Sequence, residues 1–486
     1  VPWTALAVAL GLALRSYHYL RDPSMWHDEA ALALNVIHKG FTGLLGPLVF
    51  AEAAPPLFLW VEKAVTLILG DGTFALRLVP YLASSAGLLL FVPVARRWLR
   101  PAAVPWAVLL FACSDNLLWH ACEAKPYAVE VGCAVGLLTI YGRTRAWPLA
   151  RQLGLYTLLA PLLIFLAYPG CFLCGGLLVA LLPAVWRARS ARAWLAYGLL
   201  ALTVAVAFAG LVLGPVRAQR CPAMTSCWED HFPPWDKPWK VPVWAAASTF
   251  EIARYCCRPT GQVLLFVAAI GAVLLWRGGR RGVVALTAVP VGLALAAACL
   301  RAYPYGGTRV LVYAAPALIL WTAEGVPFLF DRLLSSLGGR AAAAALAVAL
   351  SVPTVLSLYR VAVPWERADC AGASAYVLAH RLPADAVAGN HWEYLYYFRG
   401  LGPAFRPYPD VPQEAGTRLW LVTSGALPED RRRLAEFLPP GDWLRLEQRE
   451  FVRTTVFLLQ RPTTTAEEIS NRQLQAQDRG PGTRPR

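Results

Sequence analysis

Residues 149–213 read LARQLGLYTLLAPLLIFLAYPGCFLCGGLLVALLPAVWRARSARAWLAYGLLALTVAVAFAGLVL. Three apolar tracts (149–168, 170–186, 194–213) each approach the ~20 residues a helix needs to cross a bilayer. Apart from Arg151, the charge in this stretch is gathered between the second and third tracts, from Arg187 to Arg192, and residues 131–228 contain no carboxylate. Apolar runs punctuated by arginine are suited to a membrane, with the arginines on the cytoplasmic side. The same texture extends from residue 1 to about 360. Of the 486 residues, 57% are hydrophobic and 15% charged, against roughly 25% charged in soluble chains, which excludes a set of soluble domains. The net charge of +15, carried by 40 Arg and 5 Lys, would suggest nucleic acid on a soluble protein. Here the arginines sit between apolar tracts, so topology explains them and no nucleic-acid partner is expected.

Four more clusters complete the topology: Arg96 to Arg100, Arg143 with Arg145, Arg277 to Arg281, and Asp331 to Arg340. Placing all five inside predicts eleven spans, near 2–19, 78–95, 101–118, 128–142, 149–168, 170–186, 194–213, 261–276, 283–300, 309–329 and 341–359. The tract 55–70 does not fit this parity. It is short for a span and carries Glu62 and Lys63 midway, so it reads as a juxtamembrane helix at the outer surface. Residues 20–77 and 214–260 then form long outer loops. Nine acids fall within the first 130 residues, all at or near the outer face, and charge close to hydrocarbon marks function. After about 360 the composition turns polar. Helical periodicity covers 369–382 and 429–438, and strands are expected at 386–390, at 418–423 and, as a pair, within 443–460. The expected organisation is therefore a membrane domain (1–360), a small extracytoplasmic α/β domain (361–460) and a disordered polar tail (461–486). Facing an oxidising compartment, Cys221 is a candidate to pair with Cys227, Cys256 or Cys257. The Cys171-x-x-Cys174 spacing lacks the βαβ context of a redox motif.

Four outer constellations carry chemistry. Trp26-His27-Asp28-Glu29 places adjacent carboxylates just after the first span; they suit a general base or a divalent cation, and alternatively a helix cap before Ala30–Val36. Glu52-Ala-Ala-Pro-Pro-Leu-Phe58 and Phe74-Ala-Leu-Arg77-Leu-Val-Pro80 bracket the juxtamembrane helix. His120-Ala-Cys-Glu123-Ala-Lys125-Pro-Tyr127 gathers a carboxylate, an ammonium and a phenol. Arg301-Ala-Tyr-Pro-Tyr305-Gly-Gly-Thr-Arg309 sets two guanidiniums around a Gly-Gly turn, which suits a lipid phosphate; snorkelling anchors are the simpler alternative.

In this order, over most of residues 1–360, these segments resemble the membrane glycosyltransferases of GT-C fold related to protein O-mannosyltransferases and aminoarabinose-lipid A transferases. The resemblance implies an all-α polytopic bundle of about eleven transmembrane helices with outer juxtamembrane helices, followed by the small α/β domain. It implies a cell-envelope enzyme of the inner membrane, multi-pass, moving a hexose or pentose at the outer face. The partners are a polyprenyl-phosphate sugar donor, membrane lipids, and a lipid, glycan or protein acceptor. By position Asp28 is the catalytic base, with Glu29 its neighbour and Glu123 the acid of the second loop; Lys125 departs from the arginine common before that loop's aromatic. Lys125, Arg301 and Arg309 are expected to meet the donor phosphate, with Tyr127 and Tyr305 as hydrogen-bond donors. An inverting displacement of this kind requires no metal, although Asp28, Glu29 and Glu123 are of the type that binds a divalent cation. A transporter or lipid flippase is the rival reading; it would place ionisable groups near the midplane, whereas these acids cluster at one face.

Overall fold

The computed structural model describes residues 2–335, 338–411, 414, 416–425 and 442–462. They form two compact units: Val1–Asp22 with Asn35–Trp365, and Pro23–Leu34 with Glu366–Arg486. The expected helix at 429–438 and the tail beyond residue 462 lie outside the described residues.

The first unit is a helical bundle. It opens with α1 (Pro2–Leu20), and α2 (His27–His38) begins in the other unit's short segment and ends in this one. Next come α3 (Pro56–Leu69), α4 (Thr73–Trp98), α5 (Val104–Ala112), α6 (Asp115–Ala121), α7 (Tyr127–Thr144), α8 (Leu149–Leu166), α9 (Gly170–Ala188) and α10 (Ala191–Leu211). A π-helical turn joins α10 to α11 (Arg217–Gln219), and α12 (Pro222–Cys227), α13 (Val241–Cys256), α14 (Gly261–Arg277), α15 (Arg281–Cys299), α16 (Ala315–Leu334) and α17 (Gly339–Ala362) follow. Among the described residues seven helices are long and apolar enough to cross a membrane, and an eighth if Pro238–Cys256 and Gly261–Arg277, bent by 100°, count as one. These coincide with eight of the expected spans, which makes the chain a multi-pass membrane protein. The other three expected spans fall on α1, α5–α6 and α7.

The break between α5 and α6 has a visible cause. Arg15 of α1 is fully buried and donates to the carbonyls of Phe111 (3.3 Å) and Ala112 (3.0 Å), and to Ser84 Oγ (2.9 Å). It satisfies carbonyls left open at the C-terminal end of α5, where a cation also complements the helix dipole. The juxtamembrane tract is α3, 14 residues long, started by Pro56 at its first turn and stopped at Gly70, whose φ is +86°; proline and glycine are suited to those two positions. Helices α14 and α16 approach so closely that a Cβ on Gly271 would lie 1.7 Å from the Trp321 carbonyl oxygen, the use of small residues that packing within lipid favours.

The C-terminal unit holds α18 (Cys370–His380), β1 (Ala386–Gly389), α19 (Trp392–Tyr397), β2 (Phe405–Pro407), β3 (Arg418–Ser424), β4 (Leu444–Phe451) and β5 (Thr454–Gln460). Its sheet runs β2-β1-β3-β5-β4, with β1 parallel to both β2 and β3 and the remaining pairs antiparallel. The strands expected at 386–390, 418–423 and 443–460 are present; β2 is additional, its three residues too short to show alternation. Val387, Trp420, Val422 and Val456 pack with Cys370, Val377 and Tyr394 on one face, and Leu419, Leu421 and Leu459 form a second core on the other. The edge strand β4 is largely exposed and reads Leu-Arg-Leu-Glu-Gln-Arg-Glu-Phe, the charged edge that discourages further strand pairing.

Of the partners considered for Cys221, Cys227, Cys256 and Cys257 are free thiols in this structure. Cys256 and Cys257 are buried at the end of α13 while Cys227 is exposed.

Candidate active site

In the membrane unit the second and third constellations, separate in sequence, form one polar cluster. Phe50 and Ala51 both adopt left-handed backbone, with φ of +65° and +52°, a strained conformation for residues with a Cβ. They turn the chain into Glu52, whose carboxylate accepts from Lys125 Nζ at 2.7 and 2.8 Å, both side chains being buried. Two residues on, Ala54 is held through its backbone: its N–H donates to Gln219 Oε1 (3.1 Å), and the Tyr168 hydroxyl lies 2.9 Å from its carbonyl oxygen and 2.6 Å from Gln219 Oε1, with one hydrogen to give to the two. Beside Lys125, Glu123 Oε2 lies 2.5 Å from His120 Nδ1, and His120 Nε2 lies 2.9 Å from Tyr255 Oη. A carboxylate, an imidazole and a phenol are thus in line, with the Tyr127 ring 4.9 Å from that of His120. The carboxylate favours the tautomer with hydrogen on Nδ1, which leaves Nε2 to accept from Tyr255.

The fourth constellation is clasped by the loop ahead of α13. Arg301 pairs with Glu229 and lies over Phe232, and Arg309 lies over Trp228 at 5.6 Å. The Tyr305 N–H donates to the His231 carbonyl (3.0 Å) and the buried Tyr305 hydroxyl meets Thr249 Oγ1 (2.9 Å). The Gly-Gly pair serves close approach within the protein: a Cβ on Gly307 would stand 2.5 Å from the Glu251 carbonyl oxygen, and one on Gly306 would stand 3.0 Å from the His231 ring. Arg77 of the Ala-Leu-Arg-Leu motif is buried on Asp22 (2.9 Å), which also accepts from Thr73. That arginine fixes the chain leaving α1.

Asp28 and Glu29 belong to the other unit. The helix there begins at His27, so the cap considered for Asp28 falls to Glu29: the Trp26 N–H points at Glu29 Oε2, at a long 3.5 Å. This is the reach-back half of a capping box. Glu29 is fully buried and its Oε2 accepts from Arg367 Nη1 at 2.6 Å. Asp28 has Oδ1 3.2 Å from His27 Nε2. Among the described residues no three His, Cys, Asp or Glu side chains converge as metal ligands.

Sequence reasoning quoted Glu52 and His120 only as motif members and missed Tyr255, Tyr168, Gln219 and Arg367. An acid preceding a Pro-Pro helix start and a lysine preceding another proline were the available signals for the Glu52–Lys125 pair; nothing local marked the rest.

No protein-family model matches the sequence, and no curated protein matches it. The fold does have solved counterparts. ArnT from Cupriavidus metallidurans, in the apo state, superposes with a TM-score of 0.55 at 13% identity over 94% of this chain and 98% of that one. ArnT bound to undecaprenyl phosphate gives 0.50 at 13% identity over 96% and 98%. The architecture is the GT-C fold, an all-α polytopic membrane bundle followed by a small α/β unit.

Proposed function

We propose that the chain is a membrane glycosyltransferase that moves a sugar from a polyprenyl-phosphate donor to an acceptor hydroxyl, with inversion, at the extracytoplasmic face of the inner membrane. The observation that carries this reading is the fold it shares over nearly its whole length with ArnT, a protein crystallised with undecaprenyl phosphate. The polar constellations gathered on its outer loops support it.

In the proposed reaction Asp28 accepts the proton of the acceptor hydroxyl as its oxygen bonds to the anomeric carbon. The bond from that carbon to the phosphate oxygen breaks, and the polyprenyl phosphate leaves with the electron pair. A phosphate is a good leaving group when cationic groups meet its growing charge. Arg309 and Arg301 take this role, with Tyr305 and Tyr127 as hydrogen-bonding groups. Lys125 contributes less net charge, because Glu52 already neutralises it. Glu29, bonded to Arg367, orients the turn that carries Asp28. Glu123 acts through His120 on Tyr255. The scheme requires no metal. The acceptor is a lipid, glycan or protein hydroxyl, and the sugar a hexose or pentose.

The test is transfer by protein in liposomes supplied with undecaprenyl-phosphate-linked mannose, glucose or aminoarabinose, read as released undecaprenyl phosphate. At least one donor is expected to be consumed, and Asp28→Asn is expected to abolish release while leaving the protein inserted. Consumption of none, or undiminished release by Asp28→Asn, overturns the reading.

A further inference from the structure

Helix α17 carries an exposed apolar stripe on the membrane unit. Val348, Val355 and Tyr359 are exposed, and with Val352, Leu356 and Pro259, which lies in the turn between α13 and α14, they line an open groove of about 500 Å³. Thr260 Oγ1 donates to the Ala349 carbonyl (2.8 Å) and ties the start of α14 to α17. The Ser351 hydroxyl in the lining is spent on the Ala347 carbonyl (2.7 Å), which leaves the groove apolar as far as Tyr359.

At the Tyr359 end the surroundings turn cationic. Arg360 follows Val352 and Leu356 at four-residue steps, on the same strip of the helix, and Arg258 precedes Pro259. Both guanidiniums serve one carboxylate, the fully buried Asp115 of α6. Arg360 Nε donates to its Oδ1 (3.2 Å), which also accepts from Trp365 Nε1 (3.1 Å). Arg258 Nη1 stands 3.9 Å from Oδ2, with half of its side chain exposed. Two guanidiniums against one carboxylate leave a positive charge at the end of an apolar groove.

We infer that this groove is a binding site for one anionic phospholipid of the outer leaflet, with an acyl chain along the α17 stripe and the phosphate on Arg258 and Arg360. The inference goes beyond the proposed reaction, whose donor phosphate is assigned to Arg301 and Arg309. Lipid tails are as apolar as leucine, so the lining by itself selects nothing; selectivity comes from the head, and guanidiniums suit a phosphate in charge and in geometry. The depth agrees. Tyrosine favours the headgroup level, and Tyr359 closes the stripe directly before Arg360. On the expected topology the span 341–359 ends outside, which puts this end of the groove at the outer surface. A lipid seated there joins α17 to the turn between α13 and α14.

The test titrates the full-length protein in detergent with phosphatidylglycerol or phosphatidylcholine, read by native mass spectrometry and by Tm. One phosphatidylglycerol is expected to be retained with roughly fivefold preference over phosphatidylcholine, the contribution of one basic group near an anionic lipid surface, and to raise Tm. Arg258→Gln is expected to remove the preference, and Arg258→Lys to keep part of it, because the charge remains while the planar fork is lost. Val355→Trp is expected to fill the groove and abolish phosphatidylglycerol retention with both arginines in place. Equal retention of the two lipids overturns the inference. So does a preference that survives Arg258→Gln, or retention that survives Val355→Trp. Displacement of phosphatidylglycerol by equimolar undecaprenyl phosphate would make the groove a seat for the donor's chain and overturns it too. No arm uses a sugar donor, so a failure of sugar transfer removes the proposed function and leaves this result standing.

Discussion

Glu324 and Glu52 are both buried carboxylates of the membrane unit, and they are neutralised in opposite ways. Glu324 of α16 accepts from Arg100 Nε and Arg280 Nη1, each at 3.1 Å, and from the Arg100 N–H at 3.0 Å. Those arginines belong to two of the clusters that set the topology, and their side chains stay 39% and 30% exposed. The cluster has surplus cation and access to water, and it clamps two loops to one helix. Glu52 accepts from a lysine that is itself buried. A buried ion pair out of water recovers its desolvation only with good geometry and adds little net stability. Such a pair, preceded by two strained residues, is better explained by chemistry than by stability. The acids of the sequence thus divide into a structural set near arginine clusters and a set kept in place at a cost.

This contrast can be broken experimentally. The largest effect is expected from Lys125→Ala, which takes the buried ammonium from Glu52: a loss of about 3–5 kcal/mol in unfolding free energy in detergent, with transfer reduced alongside it. The double variant Glu52→Gln, Lys125→Met is expected to recover most of the stability and none of the transfer; recovery of both would make the pair merely structural. Next, Arg309→Ala is expected to weaken binding of an undecaprenyl-phosphate donor analogue about tenfold, one charge-assisted contact, with Arg309→Lys rescuing only part because bidentate geometry is lost. Equal affinity in all three proteins would leave Arg309 as a snorkelling anchor. Gly307→Ala should cost roughly 1–3 kcal/mol, the ordinary penalty of overpacking, because its Cβ meets a carbonyl oxygen; donor binding should fall with it. Glu324→Gln should cost on the order of 1 kcal/mol and leave transfer intact, since its arginines can turn to water. The mildest perturbation is a single reporter cysteine at position 97 in a background lacking accessible cysteines. It should leave activity unchanged and label only from the cytoplasmic side; labelling from outside would mean that α3 crosses the membrane.

Much of the architecture was legible because its causes are local. Apolar length, arginine clusters and flanking prolines delimit helices without reference to partners, so the expected spans at 78–95, 170–186 and 341–359 lie on α4, α9 and α17. Short apolar runs with β-branched and aromatic residues marked β3 and β5 in the same way. The site was legible as four separate constellations. Their pairing was not, since the first and fourth motifs had bland alternatives and several proved to hold structure: Arg77 fixes the chain after α1, Glu29 reaches back to cap its helix, and Gly307 admits a neighbouring backbone.

By itself the sequence determined that this protein lives in a membrane, where most of its long apolar helices lie, and that a small sheet follows, because hydrophobic length, charge and turn chemistry act within a few residues of where they occur; it read α13 (Val241–Cys256) as loop and α5–α6 as one span. Tertiary structure alone decided that Glu52 meets Lys125 across 73 positions, that His120 meets Tyr255 across 135, and that Arg367 closes on Glu29 across 338. Desolvation is the physical reason. A charged or polar side chain brought into a low-dielectric interior must find a partner there, and which partner lies within 3 Å is set by how helices pack and loops return, which no local pattern records.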